Sequence, residues 1–217
     1  MIKGTRIIEG EDAARYRDTL AVLAVRSLAT GFSEVVIPVL GDPSLWIERS
    51  GKEIENQMWL FSDKGNRPTC LIPEATAVIQ DLYRNGWEQA RKKPVRVFYE
   101  TRCFRYERPQ AGRYREFTQF GIEILGPDPA AYEEEAKELL RTCLAAAYSC
   151  DGSAMNFEFD DSVERGLSYY SRDGFEVRCE ALGAQKQIAG GGTYAEGCGW
   201  AIGVDRLLLA MEARPCQ

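Results

Sequence analysis

The most constraining feature of the sequence is a pair of alternating segments, residues 95–107 and 114–125, on either side of the turn-like run RPQAG. Alternation of this length around a short Gly-containing turn predicts two antiparallel strands with opposite apolar and polar sides. The apolar sides carry Phe98, Phe104, Tyr106, Phe120, Ile122 and Ile124. The polar sides carry Arg105, Glu107, Arg115, Phe117, Gln119 and Glu123. We therefore expect a sheet with one helix-covered face and one charged face.

Helical periodicity and further alternation surround this pair of strands. Residues 10–30 predict a helix that ends at Gly31, and residues 130–149 predict a second helix with Asp128 as its N-cap and Pro129 in its first turn. The core side of the first helix consists of Tyr16, Leu20, Leu23, Ala24 and Leu28. Strands are predicted at FSEVVIPVL (32–40), with Pro38 at an edge or bend, and at MNFEFD, FEVRCEAL and CGWAIGV; the helix DRLLLAMEA follows the last.

These elements indicate one α+β domain over residues 1–217, built on a mixed, largely antiparallel sheet flanked by helices. A chain of 217 residues with 45% hydrophobic residues can bury its own core. No segment has the length and composition of a membrane span or a signal peptide, so we expect a cytoplasmic protein without a membrane partner.

Charge and cysteine content exclude further classes of protein. The seven cysteines are scattered without a C-x-x-C pair and histidine is absent, so we expect reduced thiols and no metal site made of protein side chains. The net charge of −6 argues against a broad basic surface for nucleic acid, and any such contact must be local.

Three further groups of residues point to a ligand. Glu74 and Thr76 stand at the head of a helical stretch, Arg165 and Arg206 flank strand-like segments, and glycines cluster at Gly190, Gly191, Gly192, Gly197, Gly199 and Gly203. Structural explanations also exist: an acid at a helix N-terminus for Glu74, tight turns for the glycines, and exposed ion pairs for the charged face of the two central strands. A cation in the first turn of a helix opposes the helix dipole unless an anion lies nearby, so Arg206 favours a phosphate ligand.

Several segments resemble the class II aminoacyl-tRNA synthetases of the histidyl type. The segment FRYERPQAGRYREFTQFGIEILG resembles motif 2 of that family, GCGWAIGVDRLLL resembles motif 3 and GFSEVVIPVL resembles motif 1. IPEATA is similar to the family's RPEGTA, RGLSYYSRDGFE to its RGLDYYNRTVFE, and KGTR to its usual opening. The resemblance covers almost the whole chain in the right order. It implies the class II synthetase fold, a ligase that adenylates an amino acid with ATP and accompanying Mg²⁺, and a homodimer formed through the motif 1 region.

The resemblance also implies how the chain binds ATP. Arg105 holds the α-phosphate, Arg113 lies near the outer phosphates, and Glu107 meets the adenine amino group. Phe117 and the guanidinium of Arg206 enclose the adenine, and Arg206 also binds the far end of ATP. Arginine suits these roles because it stays charged and binds phosphate through two N–H groups.

The implied amino-acid site adds residues from other segments. Arg165 bridges the amino-acid carboxylate and the α-phosphate, which makes Arg105, Arg165 and Arg206 the candidate catalytic residues. Glu74 and Thr76 bind the α-ammonium group with Gln119 beside them, and Tyr194 closes the pocket. Glu123 and Tyr170 hold an imidazole, whose two nitrogens both need partners once they are buried.

The sequence departs from the family pattern near the implied amino-acid pocket. The family's RGLDYY aspartate is Ser168, its GGRYD becomes GGTYA with Thr193 and Ala195, and the glycine of PEGT is Ala75. Only about forty residues separate Glu123 from the RGL segment, where the family usually has a helical insertion, and we expect a protein without the family's anticodon-binding domain.

Three functions remain open at this point. The chain activates an amino acid, with histidine as the leading candidate, and transfers it to the acceptor stem of tRNA, which the loop RPQAGRYR approaches in the family. Alternatively it loads a carrier protein or a small molecule. The third possibility is a non-catalytic paralogue, similar to the histidyl-synthetase-like regulatory subunit of ATP phosphoribosyltransferase.

Overall fold

The computed structural model describes residues 1–149, 157–163, 174–183 and 186–212. The helices of this part of the chain are α1 (Gly10–Ala29), α2 (Pro43–Ser50), α3 (Thr76–Leu82), α4 (Glu88–Ala90), α5 (Glu133–Ser149) and α6 (Val204–Glu212). The strands are β1 (Ser33–Glu34), β2 (Leu40–Gly41), β3 (Trp59–Ser62), β4 (Pro68–Leu71), β5 (Val95–Phe104), β6 (Glu116–Leu125), β7 (Glu158–Val163), β8 (Gly174–Arg178), β9 (Gln187–Tyr194) and β10 (Gly197–Gly203). No helix in these ranges combines the length and the apolar character that crossing a bilayer requires.

A seven-stranded sheet in the order β1-β5-β6-β10-β9-β8-β7 forms the centre of the molecule. Strand β1 runs parallel to β5, and all other neighbours in this sheet are antiparallel. A smaller antiparallel sheet has the order β2-β4-β3. The predicted α+β class with a largely antiparallel sheet is therefore confirmed, whereas the single-domain organisation stays a prediction.

One face of the large sheet is covered by helices, as the alternation of β5 and β6 predicts. Phe98, Phe120 and Ile122 belong to one buried cluster with Leu23 of α1 and Leu140 of α5. Burial of each side chain of this size stabilises the fold by roughly 1.5–3 kcal/mol. The apolar half of the strand pattern thus fastens the sheet to its helices.

The other face of the sheet is covered over one end only. There α2, α3 and the small sheet form a second cluster, which includes Trp46, Ile72 and Ile79 and packs against Val97 and Tyr99 of β5. The side chain of Trp46 is completely buried in it. The uncovered remainder of this face carries the charged residues of the candidate site.

The prediction of a continuous strand at FSEVVIPVL is wrong. Only β1 and β2 form within it, and they belong to different sheets. Pro38 between them has no N–H to donate to a ladder, which is the physical reason for the break. Ile37 is buried, while Val36 and Val39 are exposed.

Three predictions about single residues, Leu28, Tyr106 and Asp128, are also wrong. The buried stripe of α1 ends with Leu23 and Ser27, which leaves Leu28 on the solvent side. Tyr106 is exposed because β5 ends at Phe104 and the chain leaves the sheet before Tyr106. The side chain of Asp128 makes no capping hydrogen bond, although a short 3₁₀ turn does begin at Pro129.

The glycines Gly190, Gly191 and Gly192 lie inside strand β9 and not in a turn. A Cβ atom at Gly191 would lie 2.3 Å from the carbonyl oxygen of Gly199 on β10 and 2.6 Å from Cζ of Phe175. Glycine is therefore required here for close packing between strands, and not for a tight turn.

Candidate active site

Small residues form the floor of the uncovered sheet face. On β6, Phe117, Gln119 and Glu123 alternate on this face, and the pairing with β10 places Gly203 opposite Gln119 and Gly199 opposite Glu123. A Cβ atom at Gly199 would lie 1.8 Å from Oε2 of Glu123. Glycine is therefore required at position 199, because the carboxylate of Glu123 lies across the backbone of the neighbouring strand.

The carboxylate of Glu123 is the centre of a buried polar cluster. Thr76, the first residue of α3, donates its hydroxyl to Oε1 at 2.7 Å, and Tyr194, the last residue of β9, donates to Oε2 at 2.5 Å. Burial raises the pKa of Glu123 to about 8, against the lowering effect of these two hydrogen bonds, and the charge of Glu74 raises it further. Residues far apart in the sequence thus converge on one carboxyl group.

A second buried carboxyl group, that of Glu74, lies in the loop before α3. Its Oε1 accepts a hydrogen bond from the amide of Ala77 at 3.3 Å, and its backbone carbonyl accepts one from Nε1 of Trp46 at 3.2 Å. Burial raises the pKa of Glu74, while the hydrogen bond from Ala77 and the nearby charge of Arg105 lower it. Two buried acids with raised pKa values are therefore available to a cationic ligand.

The raised pKa of Glu123 leads us to expect that stability falls as the pH rises. Between its ordinary value of 4.5 and about 8, the folded carboxyl holds a proton that the unfolded one has released, so the free energy of unfolding declines by up to ~1.4 kcal/mol per pH unit. The other groups that face Glu123 are Glu74, whose raised pKa acts in the same direction, and the hydroxyls of Thr76, Tyr99 and Tyr194.

Thermal unfolding midpoints between pH 5 and 8.5 test this expectation. In Glu123→Gln the slope of the midpoint against pH should be smaller than in the wild type, since one of the two titrating acids is removed. Glu116→Gln is the matched control, because Glu116 lies on the same strand but is half-exposed and paired with Arg102. Equal slopes in all three proteins would contradict the assignment.

Three arginines lie close together at the end of the face where β5 and β6 enter the loop 105–115. Arg105 donates from Nε to the carbonyl of Pro73 at 3.0 Å, and its guanidinium carbon lies 5.3 Å from the centre of the Phe117 ring. Arg206 donates from Nε to the carbonyl of Gly112 at 2.8 Å. Burial lowers the pKa of Arg206, and the charges of Arg105 and Arg113 lower it further. Such a concentration of positive charge is favourable for a polyanion.

Within the loop 105–115, Glu107 and Arg113 form an ion pair with each other. The loop is closed by reciprocal backbone hydrogen bonds between Gln110 and Arg113, and Nε of Arg115 donates to the carbonyl of Glu107 at 3.1 Å. The resemblance assigns Glu107 to the adenine and Arg113 to the outer phosphates. The two side chains that the resemblance predicts as contacts of ATP are therefore paired with each other in this structure.

The sequence-predicted site residues that the structure describes fall into two adjoining groups. Arg105 connects them, because its charge acts on both Arg206 and Glu74. Gln119 accepts a hydrogen bond from Sγ of Cys103 at 3.1 Å. The nucleotide group consists of Arg105, Glu107, Arg113, Phe117 and Arg206, and the amino-acid group of Glu74, Thr76, Gln119, Glu123 and Tyr194. Arg165 and Tyr170 lie outside the described residues.

One of the departures noted in the sequence lies away from the pocket. The Thr193 hydroxyl donates to Oε2 of Glu133 on α5, which places this side chain on the helix-covered face. Strand alternation explains the difference, since Tyr194 is the neighbouring residue and points to the other face. Ala195 is exposed in the turn after β9, and Ala75 is buried.

Two residues of the site escaped the sequence reasoning. Tyr99 is fully buried beside Glu123, and a hydrogen bond from its hydroxyl lowers the pKa of that carboxyl group. It has the same strand parity as Arg105, a signal that could have identified it. Trp46, which supports the backbone of Glu74, lies in a segment without any comparable pattern.

Acidic side chains and cysteines are not arranged as a metal site in the described ranges: no group of three or more of them could hold an ion together. The cysteines found there, Cys70, Cys103, Cys143, Cys179 and Cys198, are free and buried. The chemistry of the face is therefore dominated by arginines at one end and by two carboxyl groups at the other.

Comparison with known proteins agrees with this geometry. Residues 59–196 match the model of the tRNA synthetase class II core domain (G, H, P, S and T). The histidine–tRNA ligase of Methanospirillum hungatei JF-1 is 30% identical over 307 aligned positions, which include 96% of this chain and 74% of that protein. The alignment extends over 307 positions although this chain has 217 residues, so the relative contains internal segments that have no counterpart here.

Two solved structures have the same fold. The apo histidyl-tRNA synthetase of S. aureus superposes with a TM-score of 0.77 at 24% identity, covering 98% of this chain and 70% of that one. A protein of Bacillus halodurans described as an ATP phosphoribosyltransferase regulatory subunit/histidyl-tRNA synthetase has a TM-score of 0.77 at 16% identity, covering 96% and 82%. The chain therefore belongs to the class II tRNA synthetase core-domain family, and within it to the histidine–tRNA ligases and their relatives.

Proposed function

We propose that this protein activates histidine with ATP to histidyl-adenylate and transfers the histidyl group to tRNA. The observation that carries the proposal is the arrangement of arginines and buried acids in one site. Arg105, Arg113 and Arg206 lie at one end, and the buried acids Glu74 and Glu123 lie at the other. Arg105 adjoins both ends, since its charge acts on Arg206 and on Glu74, and the two substrates of an adenylation reaction would meet beside it.

The arginine end fits the triphosphate of ATP. In the adenylation step the amino-acid carboxylate attacks the α-phosphorus and pyrophosphate leaves, so negative charge develops on phosphate oxygens. Guanidinium groups in a preorganised site stabilise that charge without becoming neutral. Mg²⁺ bound with ATP would supply further charge neutralisation of the phosphates, and Arg105, Arg113 and Arg206 would contact phosphate oxygens directly.

The acidic end fits an amino acid that carries two groups of N–H donors. The α-ammonium group supplies a cation for Glu74, and an imidazole supplies an N–H donor for Glu123. Either donor would favour ionisation of a carboxyl group whose pKa burial has raised. An apolar side chain would leave Glu123 buried without this compensation, which favours histidine over apolar amino acids.

The remaining steps rest on the family. By resemblance, Arg165 bridges the two reacting groups and Tyr170 holds the imidazole together with Glu123. The loop 105–115, with Arg108 exposed on it, is the proposed contact with the acceptor end of tRNA. A carrier protein or a small molecule remains an alternative acceptor, because nothing on the described surface distinguishes among them.

We further propose a homodimer through the motif 1 region. Val36 is 85% exposed, and Val39 and Leu40 beside it are exposed as well. Leu60 and Phe61, on the other edge strand of the small sheet, add to the exposed apolar surface. Exposed apolar side chains in such numbers are typical of a protein interface. The mass of the protein in solution, measured by light scattering, tests the proposal.

A second candidate function is a non-catalytic regulatory subunit that binds histidine. Its support is the fold shared with the Bacillus halodurans protein and the departures at Ser168 and Ala195. The three arginines at the nucleotide end favour catalysis, because a subunit that only binds histidine has no need for them.

Pyrophosphate exchange separates these functions. We expect histidine, among the twenty amino acids, to support exchange of labelled pyrophosphate into ATP, and the activated group to appear on tRNA in a transfer assay. Absence of exchange with every amino acid, together with binding of histidine, would favour the regulatory subunit. Exchange with histidine but no transfer to tRNA would favour another acceptor.

A further inference from the structure

The segment 3–6, near the beginning of the chain, packs directly against the loop 105–115. The carbonyl of Gly4 accepts a hydrogen bond from the amide of Arg115 at 2.8 Å. Gly4 has a φ of +90°, and a Cβ atom there would lie 2.8 Å from Cγ of Arg115 and 2.9 Å from Cγ of Pro109. Only glycine combines this backbone conformation with so close an approach.

Arg6 of the same segment joins the loop to helix α6. Its Nη2 donates to Oδ1 of Asp205 at 2.5 Å, and its guanidinium carbon lies 4.4 Å from the centre of the Tyr114 ring. The side chain of Asp205 is only 7% exposed, against 29% for Arg6. A hydrogen-bonded ion pair with one buried partner is stronger than an exposed pair, because water screens it less.

Asp205 extends the connection to strand β6. Its second carboxylate oxygen accepts a hydrogen bond from the amide of Thr118 at 2.7 Å, just beyond the point where β10 leaves the sheet at Gly203. The residue after Asp205 is Arg206, which donates to the carbonyl of Gly112 in the loop. Phe117 precedes Thr118 on β6. One carboxylate therefore lies next to two residues of the nucleotide group.

We propose that Gly4 and Arg6 position the nucleotide end of the site, with Asp205 as the residue through which Arg6 acts. Gly4 contacts the loop 105–115 at Arg115, and Arg6 contacts it at Tyr114. Tyr114 is the residue after Arg113, so both contacts lie next to an arginine of the nucleotide group. Through Asp205, Arg6 also orients the first turn of α6 and with it Arg206. The proposal rests on the proposed function, since it names ATP as the ligand of the positioned arginines.

The expected consequence is a selective loss of ATP affinity. Arg6→Ala should raise the KM for ATP in the exchange reaction by about 10- to 100-fold, because small displacements of phosphate-binding groups are costly. The KM for histidine should change much less, since Glu74 and Glu123 are held by contacts that do not involve this segment. A general loss of stability would affect both substrates alike.

Arg15→Ala is the matched control. Arg15 forms ion pairs with Asp12 of α1 and with Glu212, the last residue of α6. Neither pair includes a residue of the loop 105–115. Asp205→Asn is a second variant, because it keeps an acceptor for Thr118 but removes the charge that Arg6 pairs with. It should reproduce the effect of Arg6→Ala on the KM for ATP.

Hydrogen exchange gives a readout that is independent of catalysis. The amides of Arg115 and Thr118 should exchange faster in Arg6→Ala than in the wild type, and at the wild-type rate in Arg15→Ala. The proposal would be overturned if Arg6→Ala and Arg15→Ala had equal KM values for ATP and equal rates of amide hydrogen exchange. A wild-type protein that exchanges no pyrophosphate would refute the proposed function, while the amide exchange would still decide whether this segment holds the loop.

Discussion

Arg105→Ala is expected to slow histidine-dependent pyrophosphate exchange by about 10²–10³-fold, the usual cost of removing one preorganised donor to developing charge. Arg105 contacts Phe117 and Pro73, and its charge lowers the pKa values of both Arg206 and Glu74. It is therefore the described residue most directly placed between the two proposed substrates. Removing it relieves repulsion with Arg206 and takes away attraction to Glu74, so its two electrostatic effects on stability oppose each other.

The matched control for Arg105 is Arg102→Ala. Arg102 lies on β5, three residues before Arg105, and its half-exposed side chain pairs with Glu116 at 3.1 Å. An exposed pair of this kind contributes less than about 1 kcal/mol, and it lies away from the site. We expect the rate of pyrophosphate exchange by Arg102→Ala to stay within about twofold of the wild type, because an exposed ion pair contributes little. Similar rates in the two variants would remove Arg105 from the proposed mechanism.

Glu123→Gln should lower kcat/KM for histidine by about 100-fold, because hydrogen bonds to charged groups contribute roughly 1.5–3 kcal/mol and a tenfold change corresponds to about 1.4 kcal/mol. The amide has one acceptor oxygen, whereas Thr76 and Tyr194 both donate to the carboxylate. One hydroxyl is then left facing an NH₂ group. The loss of negative charge also weakens the proposed contact with the imidazole.

The kinetic signature distinguishes recognition from a general defect. In Glu123→Gln the KM for histidine should rise while the KM for ATP stays near the wild-type value, and Glu116→Gln should change neither. A discrimination assay against other amino acids adds a second measurement, since a neutral side chain at 123 should reduce the preference for histidine. A parallel rise of both KM values would show that Glu123 supports the fold and does not read the substrate.

Local patterns in the sequence were sufficient for the central strands. Strict alternation in β5 and β6 predicted which side chains share a face, whereas only the structure showed that Gln119 and Glu123 pair with glycines of β10. The roles of Arg105, Glu74 and Glu123 came from the resemblance to a family, and their joint placement on one sheet face agrees with it. Those roles stay predictions until the kinetics are measured.

The failures share a physical cause, which is that the deciding contact is distant in the chain. The glycines of β9 resemble a turn until the backbone of β10 and the ring of Phe175 are placed against them. Leu28 has the spacing of a core residue, but Ser27 occupies the buried position instead. Propensity and periodicity cannot register contacts of this kind, because they depend on which surface packs on which.

The sequence by itself determined the fold class, the two-faced hairpin and the family, since these depend on periodicity and on residue order. Only the tertiary structure decided that Glu123 is a buried acid with a pKa raised to about 8, because that value arises from burial and from the partners Thr76, Tyr194 and Glu74. The contact of Arg6 with Asp205 likewise joins residues 199 positions apart. Electrostatic properties of a site are set by what surrounds it in space, and the order of residues along a chain does not contain that information locally.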